Sequence, residues 1–155
     1  MSIQRRSHLT EKQDKVIRVT IPSDFAASHE ASRRIMEQVE RQGYAPASVF
    51  AIKLALEEAL INAIKHGNKH HAAKSVHIEV RISPQRTQIS IEDEGPGFDR
   101  RCVPDPRCDE NLHKCSGRGI LLIEAYMNSV KWSNHGRRIT MVRTNDREAG
   151  AGVCG

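Results

Sequence analysis

Apolar positions recur along the chain with two periods, and their succession lays out the elements. From Lys15 to Ile21, Val16 or Ile17, Val19 and Ile21 supply β-branched residues at alternating places, the period of a strand. Pro22-Ser23-Asp24 ends it, and Ser23 or Asp24 is placed to cap a helix that runs to about Arg41. Phe25, Ile35, Met36 and Val39 are the apolar contacts of that helix, and Gly43 stops it. Ala47 to His66 follows as a second long helix, with Pro46 near its start and Gly67 at its end. Val76, Ile78, Val80 and Ile82 alternate with His77, Glu79 and Arg81, which predicts a half-buried strand. Thr87 to Asp93 returns from a turn at Pro84-Gln85-Arg86, with Ile89 and Ile91 inward, as in a hairpin. Gly95 to Ser116 is irregular and carries Pro96, Pro104 and Pro106; loops this long are lids, binding loops or disordered segments. Gly117 to Met127 reads as a third helix, and Ser129–Ser133 with Arg138–Thr144 as a last hairpin around Asn134-His135-Gly136.

The order is β-α-α-β-β-loop-α-β-β. Strands that follow one another pair, and helices collect between them. This predicts an α+β two-layer sandwich, with a mixed, mainly antiparallel sheet covered by helices on one face. The expected division is a loose N-terminus over residues 1–13, one domain over 14–145 and a Gly-rich disordered tail over 146–155.

Composition narrows the class. The chain has 155 residues, 38% of them hydrophobic and 28% charged, which fits one soluble globular domain. The formal charge of +5 comes from Lys and Arg spread along the chain, not from a basic block. With aromatics at only 4%, neither a nucleic-acid arm nor a stacking platform is expected. No apolar run reaches about 18 residues and the first 15 lack an apolar signal core. The expectation is a cytoplasmic protein that neither spans a membrane nor binds nucleic acid directly.

Three features carry candidate chemistry. The helix at 47–66 is apolar almost all round, which predicts burial, yet Glu58 and Asn62 sit one turn apart in its middle. Lys65 and His66 follow on the same stripe. A carboxylate and an amide oxygen at that spacing suit Mg²⁺, with Lys65 meeting a phosphate; a solvent-facing stripe fits equally. Asp93-Glu94-Gly95-Pro96-Gly97 closes a strand, and period two turns Asp93 inward with Ile89 and Ile91. There it can accept from an exocyclic amine, while Gly95 and Gly97 let the backbone approach a flat ring; the alternative is a plain acidic turn. Ser116-Gly117-Arg118-Gly119-Ile120 stands at the start of an apolar helix, where free backbone N–H groups and Arg118 suit an anion, or where Ser116 simply caps the helix.

Taken in order, these features resemble the N, G1 and G2 boxes of the GHKL (Bergerat-fold) ATP-binding superfamily, which includes histidine kinases, gyrase-type ATPases and anti-sigma factor kinases. Glu58-Ala-Leu-Ile-Asn62-Ala-Ile-Lys-His66-Gly67 is similar to the N box of the anti-sigma factor serine/threonine-protein kinases. Gly97-Phe-Asp99, Val103-Pro-Asp-Pro106, Glu110-Asn-Leu112 and Ser116-Gly-Arg-Gly-Ile-Leu-Leu-Ile123 are similar to their lid and G2 region, and the resemblance spans about residues 14–144. Lys65, as in many histidine kinases, and Asn128, in place of a frequent Asp, leave the subfamily open. The resemblance implies ATP between the N-box helix and the lid, with Asp93 on adenine and Asn62, beside Glu58, on Mg²⁺. Lys65, His66, Gly95, Gly97 and the Ser116–Ile120 turn would line the nucleotide. It further implies Glu58 as general base toward a serine of a small anti-anti-sigma (STAS-type) protein, a sigma factor as second partner, and a homodimer.

Two other readings stay in view: an ATP-holding module that sequesters a partner without transferring phosphate, and a detached histidine-kinase catalytic domain. The last needs a two-helix dimerisation segment, and only one helix precedes the N box here. Cys102, Cys108, His113 and Cys115 fall in the expected lid, but their spacings do not match paired zinc knuckles, so free thiols are expected. Cys154 lies in the tail. His66, His70 and His71 read as a helix end and a polar loop.

Overall fold

The computed structural model describes residues 14–97 and 110–146, with side chains throughout except at 110–117. The expected lid motifs between 98 and 109, the first 13 residues and the tail from 147 lie outside the described residues. The order is β1 (Lys15–Pro22), α1 (Phe25–Arg41), α2 (Pro46–Ile61), a π-helical turn (Asn62–Gly67), β2 (Ser75–Ile82), β3 (Arg86–Glu92), α3 (Glu110–Tyr126), β4 (Ser129–Ser133) and β5 (Arg138–Thr144).

The strands form one sheet in the order β1-β2-β3-β5-β4. All four described pairings are antiparallel, so no parallel component joins the expected sheet. The register settles which residues of β1 face inward. Ile17 lies opposite Val80, Val19 opposite Ile78 and Ile21 opposite Val76, which leaves Val16 on the outer face. Continuing across, Ile78 meets Ile91, Ile91 meets Ile139 and Ile89 meets Met141. This aliphatic face is buried beneath α1 and α2. Helices cover one face, as the order of elements predicted. No described helix is long and apolar enough to cross a membrane.

Helix ends follow local chemistry. Asp24 caps α1 by accepting from Ala26 N at 3.3 Å, and Gly43 closes that end at φ +77°. Pro46 opens α2 at a position where a backbone N–H has no helical partner anyway. α2 buries Ala51, Ile52, Ala55, Leu56, Ala59 and Leu60 against the sheet and its neighbouring helices. Its all-round apolar composition predicted full burial, but Phe50 is 57% exposed, edge-on to Tyr126, and Ile61 is exposed too. Phe25 is likewise exposed, against the His70 ring. The sheet, α1 and α3 cover only part of the circumference of α2, so its outer flank stays exposed whatever its composition.

α3 departs from expectation. The irregular stretch predicted to run through Ser116 gives way to helix at Glu110, so Gly117-Arg118-Gly119 lies within α3 and does not open it. A glycine inside a helix costs about 1 kcal/mol relative to alanine. Packing offsets this: Ile120, Ile123 and Met127 are buried, and α3 lies against α2.

Candidate nucleotide site

The end of α2, the β3 exit and α3 converge on two adjoining clusters. The first joins Glu58, Asn62 and Gly119. A Cβ built on Gly119 would stand 2.9 Å from Glu58 Oε2 and 3.4 Å from Asn62 Nδ2. Glycine leaves that space open, and an added methyl would have to displace the tip of the Glu58 side chain. Asn62 Nδ2 is buried and has no hydrogen-bond partner among the described residues. An amide held dry in this way calls for a ligand, and rotation about its terminal bond offers either a donor or an acceptor.

The second cluster is Asp93, Gly95 and Gly67. Asp93 is 8% exposed, inward as its alternation predicted. Its Oδ1 accepts from Gly95 N at 2.8 Å, and its backbone N–H donates to Arg137 O at 3.1 Å. Any Cβ on Gly67 would overlap the Asp93 carboxyl, and any Cβ on Gly95 would overlap the Gly67 carbonyl. Gly67 is therefore required for close approach; its φ is not positive, unlike that of a glycine helix stop. Gly97 has φ +81° and packs against the His135 carbonyl, so it needs glycine on both counts. Burial raises the Asp93 pKa, while the Gly95 N–H and the nearby Arg137 guanidinium pull it down.

Between the clusters the helix widens. Asn68 N donates to Ala63 O at 2.8 Å, five residues back, a π-helical turn of the kind that recurs at functional sites. Lys65 on this turn is exposed. His66 is half-buried, and its pKa is lowered by burial and by Lys65 and His70. Arg118 is exposed and the Ile120 side chain is buried, which leaves Ile120 only its backbone to offer a ligand. The Ser116 side chain and those of His113 and Cys115 lie outside the described ones, and Cys102, Cys108 and Cys154 lie outside the described residues.

The sequence reading missed three residues here. Gly67 reads in the sequence as a helix stop and the close of the N box, not as a contact for Asp93. Asn68, 1% exposed, has no role in the sequence reading. Arg137, between the Asn134-His135-Gly136 turn and the strand that begins at Arg138, has no role in the sequence reading either. Only the polar character of Asn68 directly after the N box hinted at a role.

The profile described as the histidine kinase-like ATPase domain matches residues 21–143. The chain is 28% identical over 97 residues to serine-protein kinase RsbW of Listeria monocytogenes, covering 59% of this chain and 62% of that protein. It is 31% identical over 122 residues to the anti-sigma F factor of Clostridium perfringens, covering 66% of this chain and 86% of that one. It spans less than two thirds of the length of the RsbW relatives it matches. A crystal structure of the RsbU and RsbW domains of a Mycobacterium tuberculosis protein shares the fold, with TM-score 0.54 at 14% identity over 84% of this chain and 31% of that one.

Proposed function

The chain belongs to the histidine kinase-like ATPase domain family, and on that premise we propose that it binds ATP with Mg²⁺, phosphorylates a serine of an anti-anti-sigma protein and holds a sigma factor in turn. The observation that carries the reading is the Glu58–Asn62–Gly119 cluster, with its dry, unpartnered amide one helical turn from a carboxylate. Similarity to RsbW-named kinases and to an anti-sigma F factor supports the choice of protein substrate and of sigma factor.

In this reading adenine enters over Gly95 and Gly97, and its exocyclic amine donates to the Asp93 oxygen not engaged by Gly95. Asn62, with Glu58 beside it, would hold Mg²⁺, which neutralises charge across the phosphates and needs few protein oxygens because it keeps waters and phosphate ligands. Among the described residues no group of three or more His, Cys, Asp or Glu forms a metal cage, and this coordination does not require one. Glu58 takes the proton from the substrate serine. The serine oxygen then bonds the γ-phosphorus as the bond to the β–γ bridging oxygen breaks, and ADP leaves. Within α3 the N–H groups of Gly117 to Gly119 point to carbonyls four residues back. For them to meet phosphates, α3 must open as far as Gly117.

The test is transfer of γ-labelled phosphate to a STAS-type partner. Wild type should label it, and Glu58→Ala should still bind ATP but label about 100-fold more slowly, the scale of a lost general base. ATP binding by wild type without transfer to any cognate partner would overturn the kinase and leave an ATP-gated sequestering module.

A further inference from the structure

The Asp93–Pro96 loop is gripped from two sides by residues outside the boxes. On one side, Asn68 is fully engaged: its Oδ1 accepts from Glu94 N at 2.8 Å, and its Nδ2 donates to Ser23 Oγ and to Ser75 O, both at 2.9 Å. It thereby ties the loop to the end of the π-turn, to the β1–α1 connection and to the start of β2. On the other side, Arg137 Nε donates to Gly95 O at 2.6 Å and its Nη2 to Pro96 O at 3.2 Å. A third donor, Nη1, reaches Asn134 O at 3.4 Å and fixes the fork to its own turn. The strand ends at Glu92; one backbone bond, from Asp93 N–H to Arg137 O at 3.1 Å, continues past it, and beyond that point these side chains hold the loop.

We infer that Asn68 and Arg137 are positioning residues for base recognition: together they fix the Glu94–Pro96 backbone so that the free oxygen of Asp93 is aimed at the exocyclic amine of adenine. The inference rests on the proposed reading of Asp93 as the base contact. Aim matters because guanine presents a carbonyl where adenine presents that amine, and a carboxylate facing a carbonyl finds no donor. A loop free to shift by a fraction of an ångström weakens the hydrogen bond to adenine and relaxes the rejection of guanine. Arg137 acts through backbone carbonyls, and Asn68 through one backbone N–H, so neither needs to touch the nucleotide.

The experiment is calorimetric titration of the full chain with ATP and with GTP, each with Mg²⁺, for wild type, Asn68→Ala, Arg137→Gln and Arg137→Lys. Wild type should prefer ATP. Arg137→Gln and Asn68→Ala should each lose about tenfold in ATP affinity with GTP affinity changed less, so that the ratio falls; that is the scale of one well-placed hydrogen bond to a charged group. Arg137→Lys, which keeps the charge but not the fork, should recover part of the ratio. Equal losses for both nucleotides, or an unchanged ratio in Arg137→Gln at unchanged Tm, would overturn the inference. If wild type binds no ATP, or binds ATP and GTP alike, the underlying reading of Asp93 fails instead. Arg137 is near the surface, so its variants keep the test decisive if Asn68→Ala does not fold.

Discussion

At the scale of single residues, the site is built where side chains are buried against their own preference or left out altogether. Burial raises the Asp93 carboxyl above its ordinary value of 3.8, so the folded chain holds that proton more tightly than the unfolded chain does. Its stabilising contribution is full below about pH 4 and is lost as pH rises through the raised folded value. Above its ordinary range Asp93 therefore favours folding less than it does at low pH. Asp93→Asn should melt no lower than wild type at pH 7, with the difference closing toward pH 4 in a series of thermal melts, while ATP binding falls. The glycines separate by what an added methyl would strike. In Gly119→Ala it meets the movable tip of Glu58, so the protein should fold, with Tm nearly unchanged and phosphoryl transfer slowed. In Gly95→Ala it meets the Gly67 backbone, so folding itself should suffer, as far-ultraviolet circular dichroism would show. Asp93, Glu58 and Asn62 were legible in the sequence because each breaks an apolar pattern. Asn68 and Arg137 were not, because a polar residue in a loop breaks nothing, and only the fold reveals which backbone groups it reaches.

At the scale of elements, period-two alternation located β1, β2 and β3, the hairpin around Asn134-His135-Gly136 located β4 and β5, and the capping residues placed α1 well. The helical layer was harder to read. α2 is apolar all round, and composition cannot say which flank meets the sheet; register can. Leu56 is fully buried on the sheet side and Phe50 is 57% exposed on the other. Leu56→Ala should cost about 2–5 kcal/mol in urea unfolding. Phe50→Ala should cost about 1 kcal/mol, mostly its edge contact with Tyr126. The start of α3 was misplaced because glycines are read as breaks, whereas packing against α2 carries the helix through them. The π-turn at Asn62–Gly67 left no sequence signal, since widening a helix by one residue changes no composition. It nevertheless brings the Gly67 carbonyl against Gly95, and so bears on where the Glu94–Pro96 turn lies.

At the scale of the molecule, one end of the sheet carries the candidate site and the other is fastened. At the end away from Asp93, Tyr44 OH donates to Ser83 O at 2.7 Å and accepts from Thr87 Oγ1 at 3.0 Å. Asn145 accepts from Ala45 N at 3.0 Å, and Ser48 accepts from Asp146 N at 2.8 Å. These bonds join the α1–α2 connection to the far hairpin and to the end of β5, about 20 Å of strand from the candidate site. Tyr44→Phe leaves the buried Thr87 hydroxyl without its partner and should lower unfolding free energy by about 1–3 kcal/mol, with ATP affinity unchanged. The account's central claim is that Asp93 and Asn62 are two ends of one ATP·Mg²⁺ site. Calorimetric titration of ATP with Mg²⁺ into wild type, Asp93→Asn and Asn62→Ala tests it most directly. The account predicts one site per chain, with affinity cut about tenfold or more in each variant while both remain folded. Undiminished binding in both variants, or no binding to wild type, would contradict it.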